Sequence, residues 1–300
     1  MVKPVGQGLL ERLKNTLHNR LLIKSAKRYL AGISSVHELK LQKQLIYDFF
    51  SRGGLRVLLV LDACRLDYFM RYANFFEGIG DHALFPVLSC GSCTKEWFIK
   101  TFTDPLRDVI YISANPHAFR ARDKFARMVR LWEHGWDEEL ETVRASCVSE
   151  AVRIAIKRGA RKLIAHYMQP HAPFVRGSWL NKLRGGGKRP SFLAYVAARR
   201  SPMARREFVR AYDENVGYVM NEAARLVRWL INRAHVAEVA ITSDHGECLG
   251  RWEPLLFFRK RIWRWAPWLL GIYRLVGHPC RRGYPELVIV PWMTISTKSF

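Results

Sequence analysis

Two apolar stretches of this chain, Leu59-Val60-Leu61 and Ile241-Thr242-Ser243, each run straight into metal-binding side chains: Asp62 after the first, Asp244-His245 after the second. A strand that ends in a carboxylate places that group at the carboxyl edge of a sheet, where open α/β folds bind ligands. One strand cannot encircle an ion, but donors converging from two strand ends can. Asp62, Asp244 and His245 are therefore candidate ligands of a divalent metal, with zinc, manganese, magnesium and calcium all open. A single Asp after a strand ordinarily caps a helix. Asp followed by His-Gly at a second strand end is not accounted for in that way.

Around these two points the chain alternates in character. After Gly53-Gly54, buried-type strands are expected at 56–61, 109–113, 161–168, 236–242 and 286–290, with helices at 149–157 and 208–231. That alternation predicts an α/β fold with a mostly parallel central sheet and helices on both faces. Three hundred residues with 49% hydrophobic content suffice for a full core. Residues 1–53 read as a basic helical N-terminal extension, since Leu9, Leu10, Leu13, Leu17, Leu21 and Leu22 recur at helical spacing opposite Arg12, Lys14, Arg20 and Lys24. Residues 54–300 would form the α/β domain. Residues 176–206, with Gly185-Gly186-Gly187, are expected to be a loop or lid. An insertion at 251–276 alternates tryptophans and phenylalanines with arginines and Lys260.

The 49 Lys and Arg against 26 Asp and Glu leave a net charge of +23, which favours polyanionic partners: nucleic acid, anionic lipid headgroups, or phosphorylated and sulfated substrates. Neither a secretory signal nor an apolar run of about 18 residues is expected here. The six scattered cysteines fit a reducing compartment, hence a cytoplasmic protein, peripheral on the inner face of a membrane. The aromatic-basic insertion could track phosphates and stack bases. Because it lies between two candidate active-site motifs, docking on an anionic membrane surface is favoured over nucleic acid. Oligomeric state leaves no signature.

For chemistry, Ser92-Cys93-Thr94 precedes Lys95-Glu96-Trp97-Phe98, the expected first turn of a helix. A hydroxyl or thiol there would sit where backbone N–H groups favour negative charge. The Cys90-Gly91-Ser92-Cys93 spacing also fits a thiol–disulfide site, although such a site has no use for the metal-type residues. His171, in Gln169-Pro170-His171-Ala172-Pro173, is expected on a rigid loop just past a strand, placed to protonate a leaving group or bind an anionic oxygen. His166 reads as a core histidine inside that strand. His278, in Gly277-His278-Pro279, stands on a loop before the last strand. Arg65 could hold a substrate oxyanion or pair with Asp67, and Asp213 and Asn215 read as surface positions on the long helix.

Taken in order, the Leu-Asp-Ala-Cys-Arg strand end, the Tyr-Met-Gln-Pro-His-Ala-Pro loop, the Ser-Asp-His-Gly-Glu element and Gly-His-Pro before a closing strand resemble the alkaline phosphatase and sulfatase superfamily, including its short archaeal sulfatase-like members. The resemblance runs from about Leu55 to Trp292. It implies an alkaline phosphatase-like fold and metal-dependent hydrolysis or transfer of a phosphate or sulfate ester; docking of the 251–276 insertion on a membrane would bring a lipid- or glycan-linked substrate to that metal. It implies Asp62, Asp244 and His245 as metal ligands, and His171 and His278 facing the charged group of the substrate or completing a second metal site. Cys93-Thr94 aligns with the start of the sulfatase signature in which cysteine is oxidised to formylglycine, with Lys95 and Trp97 standing where that signature has Pro and Arg. Cys93 is the nucleophile by alignment. Ser92 and Thr94 stay candidates, since phosphatase-like members use Ser or Thr.

Overall fold

The computed structural model describes residues 39–175, 190–252 and 274–297. In chain order these form β1 (Lys40–Leu41), α1 (Gln42–Ser51), β2 (Arg56–Asp62), α2 (Leu66–Arg71), β3 (Asp81–Leu88), α3 (Thr94–Thr101), β4 (Leu106–Ser113), β5 (Phe125–Arg130) and α4 (Leu131–His134). There follow β6 (Trp136–Asp137), β7 (Thr142–Val143), α5 (Ala145–Lys157), β8 (Lys162–Pro170), α6 (Pro190–Arg200), α7 (Pro202–Arg233) and β9 (Glu238–Ser243). The chain closes with β10 (Cys248–Trp252), β11 (Arg274–Gly277), α8 (Pro285–Val288) and β12 (Ile289–Ser296).

The main sheet has the order β1-β3-β12-β9-β2-β8-β4-β5. β12 pairs antiparallel with both β3 and β9, and every other neighbouring pair is parallel. Central strand β2 is buried along its whole length, as a strand covered on both faces must be. Its side chains alternate between two cores: Val57, Leu59 and Leu61 pack with α5 and α7, Leu58 and Val60 with α1 and α3. The expected α/β architecture is thus present, and the parallel strands deliver their carboxyl ends to one edge.

Some expectations need correction. Residues 190–206 are helical rather than loop: Ser201 caps α7 by accepting from the Ala204 N–H, with Pro202 preset for the first turn. The strand expected at 286–290 begins only at Ile289, because Pro285 opens a helical turn first. Strands β3 and β5 differ from the expected set: Pro86 stands inside the apolar run of β3, which argues against a strand, and Arg127 and Arg130 break that of β5. Of the N-terminal extension, residues 1–38 lie outside the described residues, as do 176–189 of the expected lid and 253–273 of the insertion. No helix among the described residues is long and apolar enough to cross a membrane.

Candidate metal centre and nucleophile

Four parallel strands and one helix end converge on a buried group of side chains. Asp62 ends β2 and Asp244 follows β9, both with no exposed surface. Asp244 Oδ1 accepts from the backbone N–H of Ala63 (3.0 Å) and of His245 (2.8 Å). Ala63 adopts a left-handed φ of 60°, a strained conformation for alanine, and the Tyr212 hydroxyl of α7 donates to its carbonyl at 2.7 Å. Asn115, just past β4, donates to Asp62 Oδ2 at 2.5 Å. The third strand end thus orients the carboxylate of the first.

Asp244 Oδ2 and His166 Nε2 are both buried without a hydrogen-bond partner, 3.9 Å apart. Asp62, His166 and Asp244 present ligand atoms that all lie within 4.8 Å of one another. Burial, and then the nearby Asp244 charge, push the Asp62 carboxyl well above its usual range. Two buried carboxylates facing each other with an unpartnered oxygen require a cation or a proton. His245 Nε2 lies 3.7 Å from Asp62 Oδ1, 3.4 Å from Asp244 Oδ2 and 3.1 Å from Thr94 Oγ1, while Thr94 Oγ1 lies 3.4 Å from Asp62 Oδ1. Donor atoms about 2.0–2.1 Å from a tetrahedral ion are separated by about 3.3–3.4 Å, so these side chains fit a divalent metal. The His245 tautomer fits as well. Its Nδ1 faces the Gly246 carbonyl at 2.7 Å and must donate there, which leaves Nε2 as the donor atom toward the group.

Three nucleophile candidates separate cleanly. Cys93, expected first, is bonded to Cys280 and has no free thiolate to offer. The same bond removes the Cys90–Cys93 redox pair and corrects the picture of unpaired cysteines; Cys90 is a free thiol that burial shifts upward. Ser92 Oγ faces away from the centre, 3.1 Å from Glu96 Oε2 and 3.0 Å from the Pro279 carbonyl, and accepts the Arg282 N–H. Thr94 remains. It opens α3, its hydroxyl lies between Asp62 and His245, and it is 4% exposed. Gly91 permits this packing, since a side chain there would stand 2.4 Å from the Trp97 backbone nitrogen.

His171 and His278 close the other side, with ring centroids 4.9 Å apart and His278 4.5 Å from His245. Glu247 lies against His278, with both oxygens near its Nδ1 (3.1 and 3.2 Å). Burial opposes charge on both partners, but each supports the other: Glu247 is held below the usual carboxylate range and His278 above that of histidine. Tyr195 of α6 donates to Glu247 Oε2 at 2.8 Å. Arg65, a candidate for substrate binding, is committed to Asp67 (2.9 and 2.7 Å) and to the Glu247 carbonyl, so its guanidinium serves the fold. Asn215, expected at the surface, is buried; it donates to the Pro170 carbonyl and accepts the Val175 N–H, fixing the His171 loop.

Glu96 joins the nucleophile segment to the His278 loop. It accepts from the backbone N–H of Ser92 and of Arg281 (3.1 Å each) and pairs with Lys100. Although partial burial pulls the other way, these partners lower its pKa from 4.5 to about 2. Its stabilising effect is therefore complete above pH about 4.5 and lost as pH falls through about 2. In the Glu96→Gln variant that part of the acid destabilisation should be missing. Urea midpoints compared between pH 6 and pH 3 would show a shallower fall than in the parent; an equal fall would mean that Glu96 does not carry it.

No family model matches the chain, and no curated protein does. Solved structures do. The soluble domain of lipooligosaccharide phosphoethanolamine transferase A from Neisseria meningitidis is similar with a TM-score of 0.57 and 16% identity, over 82% of this chain and 78% of that one. The zinc complex of the C-terminal periplasmic domain of EptC from Escherichia coli follows with a TM-score of 0.54 and 13% identity, over 82% and 74%. A candidate sulfatase from Bacteroides thetaiotaomicron has a TM-score of 0.50 and 9% identity, over 82% and 65%.

Proposed function

Since the chain has the alkaline phosphatase and sulfatase fold, we propose that it is a metal-dependent enzyme that moves a phosphoryl-type group from an ester, through Thr94, to water or an acceptor hydroxyl. The observation that carries this is the Thr94 hydroxyl, 3.1 Å from His245 Nε2 and 3.4 Å from Asp62 Oδ1, at the opening turn of a helix. A threonine nucleophile supports phosphate over sulfate chemistry, because the cysteine that a formylglycine would require is tied to Cys280.

Asp62, Asp244 and His245 would hold the ion, with Thr94 as the fourth donor and His166 beneath Asp244. When bound, a divalent cation lowers the pKa of a coordinated hydroxyl and offsets charge on the ester oxygens. The protein supplies the rest. Thr94 Oγ1 attacks phosphorus, the bond to the leaving oxygen breaks, and that oxygen takes up a proton as an alcohol. His278 can donate a hydrogen bond to a non-bridging or leaving oxygen, with Glu247 fixing its ring. His171, in the same space, instead donates Nδ1–H to the Ala172 carbonyl, is held neutral by burial that lowers its pKa to about 4, and presents Nε2 as an acceptor. Water or an acceptor alcohol then cleaves the phosphothreonine and regenerates the hydroxyl. The Cys93–Cys280 bond supports a location where disulfides persist, such as an extracytoplasmic space or the interior of a hyperthermophile, in place of the reducing cytoplasm expected from the sequence.

The test is a screen of p-nitrophenyl phosphate, bis-p-nitrophenyl phosphate and p-nitrophenyl sulfate with protein loaded with zinc, manganese, magnesium or calcium. Turnover of a phosphate ester is expected. Turnover of the sulfate alone would overturn the phosphoryl assignment, and none with any metal would overturn the enzyme.

A further inference from the structure

Several described arginines have carboxylate partners: Arg71 with Asp213, Arg130 with Glu133, Arg153 with Glu150, Arg210 with Glu207, and Arg225 with Glu222. The corner where α6 meets α7 is different, because five arginines cluster there. Arg199, Arg200, Arg205 and Arg206 gather there with Arg274 of β11, and among the described residues none of the five has a carboxylate partner. Arg199 Nε is held by the Val276 carbonyl at 2.8 Å and Arg205 Nη1 by that of Ala198 at 3.2 Å. Gly250, with φ +111°, leaves the space that the Arg205 side chain crosses. Burial, then the charges of Arg274 and Arg206, lower the Arg205 pKa, which marks the group as self-repelling. Like charges held together in this way attract an external anion.

Two further features select the kind of anion. Met203, beside this corner in the first turn of α7, is 73% exposed, the most of the large apolar side chains described, ahead of Ile99 at 59%. Nucleic acid would call for exposed aromatic platforms, and the exposed aromatics described, Phe119 and Trp136, belong to other elements. Trp252 and Arg274 pair in register in the β10–β11 hairpin, so the chain leaves and rejoins the described structure here. The intervening residues, which lie outside the described ones, include five of the eleven tryptophans and phenylalanines that follow residue 190: Phe257, Phe258, Trp263, Trp265 and Trp268. The corner also borders the metal centre. Tyr195, on the same helix as Arg199 and Arg200, donates to Glu247, and Gly277, directly before His278, packs against Arg199 and Tyr195.

We propose that the α6–α7 corner, through Arg199, Arg200, Arg205, Arg206, Arg274 and Met203, docks the protein on an anionic lipid surface and so presents headgroup phosphate esters to the Thr94 centre. The presentation rests on the phosphate-ester assignment above; the docking does not.

Flotation of the full chain with phosphatidylcholine vesicles, with and without phosphatidylglycerol, tests it. Binding is expected with the anionic vesicles alone. Each arginine near such a surface contributes roughly a fivefold gain in binding, so Arg200→Gln, Arg206→Gln and Arg274→Gln together should weaken it by about 100-fold. Met203→Ser should weaken it further, and excess glycerol phosphate or duplex DNA should not displace the vesicles. Equal binding to both vesicle types, undiminished binding of the triple variant, or displacement by glycerol phosphate or DNA would overturn the docking face. An unchanged melting temperature of the triple variant excludes misfolding. Loss of the ester assignment alone would leave flotation intact.

Discussion

Thr94→Ala is expected to lower turnover of a phosphate ester by about 10⁴-fold or more, the scale on which a nucleophile's loss is felt when the residual rate comes from binding alone. The substitution removes one hydroxyl from a buried position and leaves the helix it opens in place, so the fold should hold, with a stability change of about 1 kcal/mol. Thr94→Ser keeps an oxygen at that point and should recover much of the activity. Peptide mass spectrometry of the parent quenched during turnover should find phosphate on residue 94. Full activity in Thr94→Ala would send the search back to a water nucleophile held by the same side chains.

The second large effect has opposite signs with and without metal. In metal-free protein Asp244 and Asp62 oppose each other, and the Asp62 carboxyl is raised by burial and by that charge. A carboxyl whose folded pKa is raised stabilises nothing above it; the folded state is penalised as pH rises through that value. Asp244→Asn removes the repulsion and can still accept from the Ala63 and His245 N–H groups, so the metal-free variant should melt higher than the metal-free parent at neutral pH. With metal the order should reverse. At a free metal concentration 100 times the dissociation constant the parent gains about 2.7 kcal/mol. The variant, lacking one ligand, should bind more than about 100-fold more weakly and gain almost nothing. Melting curves and elemental analysis of both proteins, stripped and reloaded, decide the matter: identical metal content would remove Asp244 from the ligand set.

What the sequence revealed of this centre was whatever is local along the chain. An apolar run followed by Asp, or by Asp-His-Gly, is written in consecutive residues, and both strand ends landed at one sheet edge. His166 was hidden because its part depends on register between strands. It pairs with Val60, two residues before Asp62, so it shares the α3 face with that carboxylate; its ring packs in the core against Trp97, Phe98 and Tyr111, as expected, while its Nε2 points at Asp244. Asn115 is legible in the same local way, since it too follows a strand end. Tyr195 and Asn215 reach the centre from helices far away in sequence, and helical spacing alone cannot tell a site-facing polar residue from an exposed one. The pairing of Cys93 with Cys280 spans 187 residues and, like any disulfide connectivity, could not be deduced from spacing.

That pairing makes one covalent ring of everything from the residue before Thr94 to the residue after Pro279. A single backbone cut anywhere inside the ring opens it without releasing a piece, whereas a cut outside it sheds a terminus. On a gel without reductant, a protease nick between 94 and 279 should leave a band of full mass, resolved into two by a thiol. The side chains of the candidate centre on both sides of such a cut would travel together, so a nicked protein can stay assembled around it.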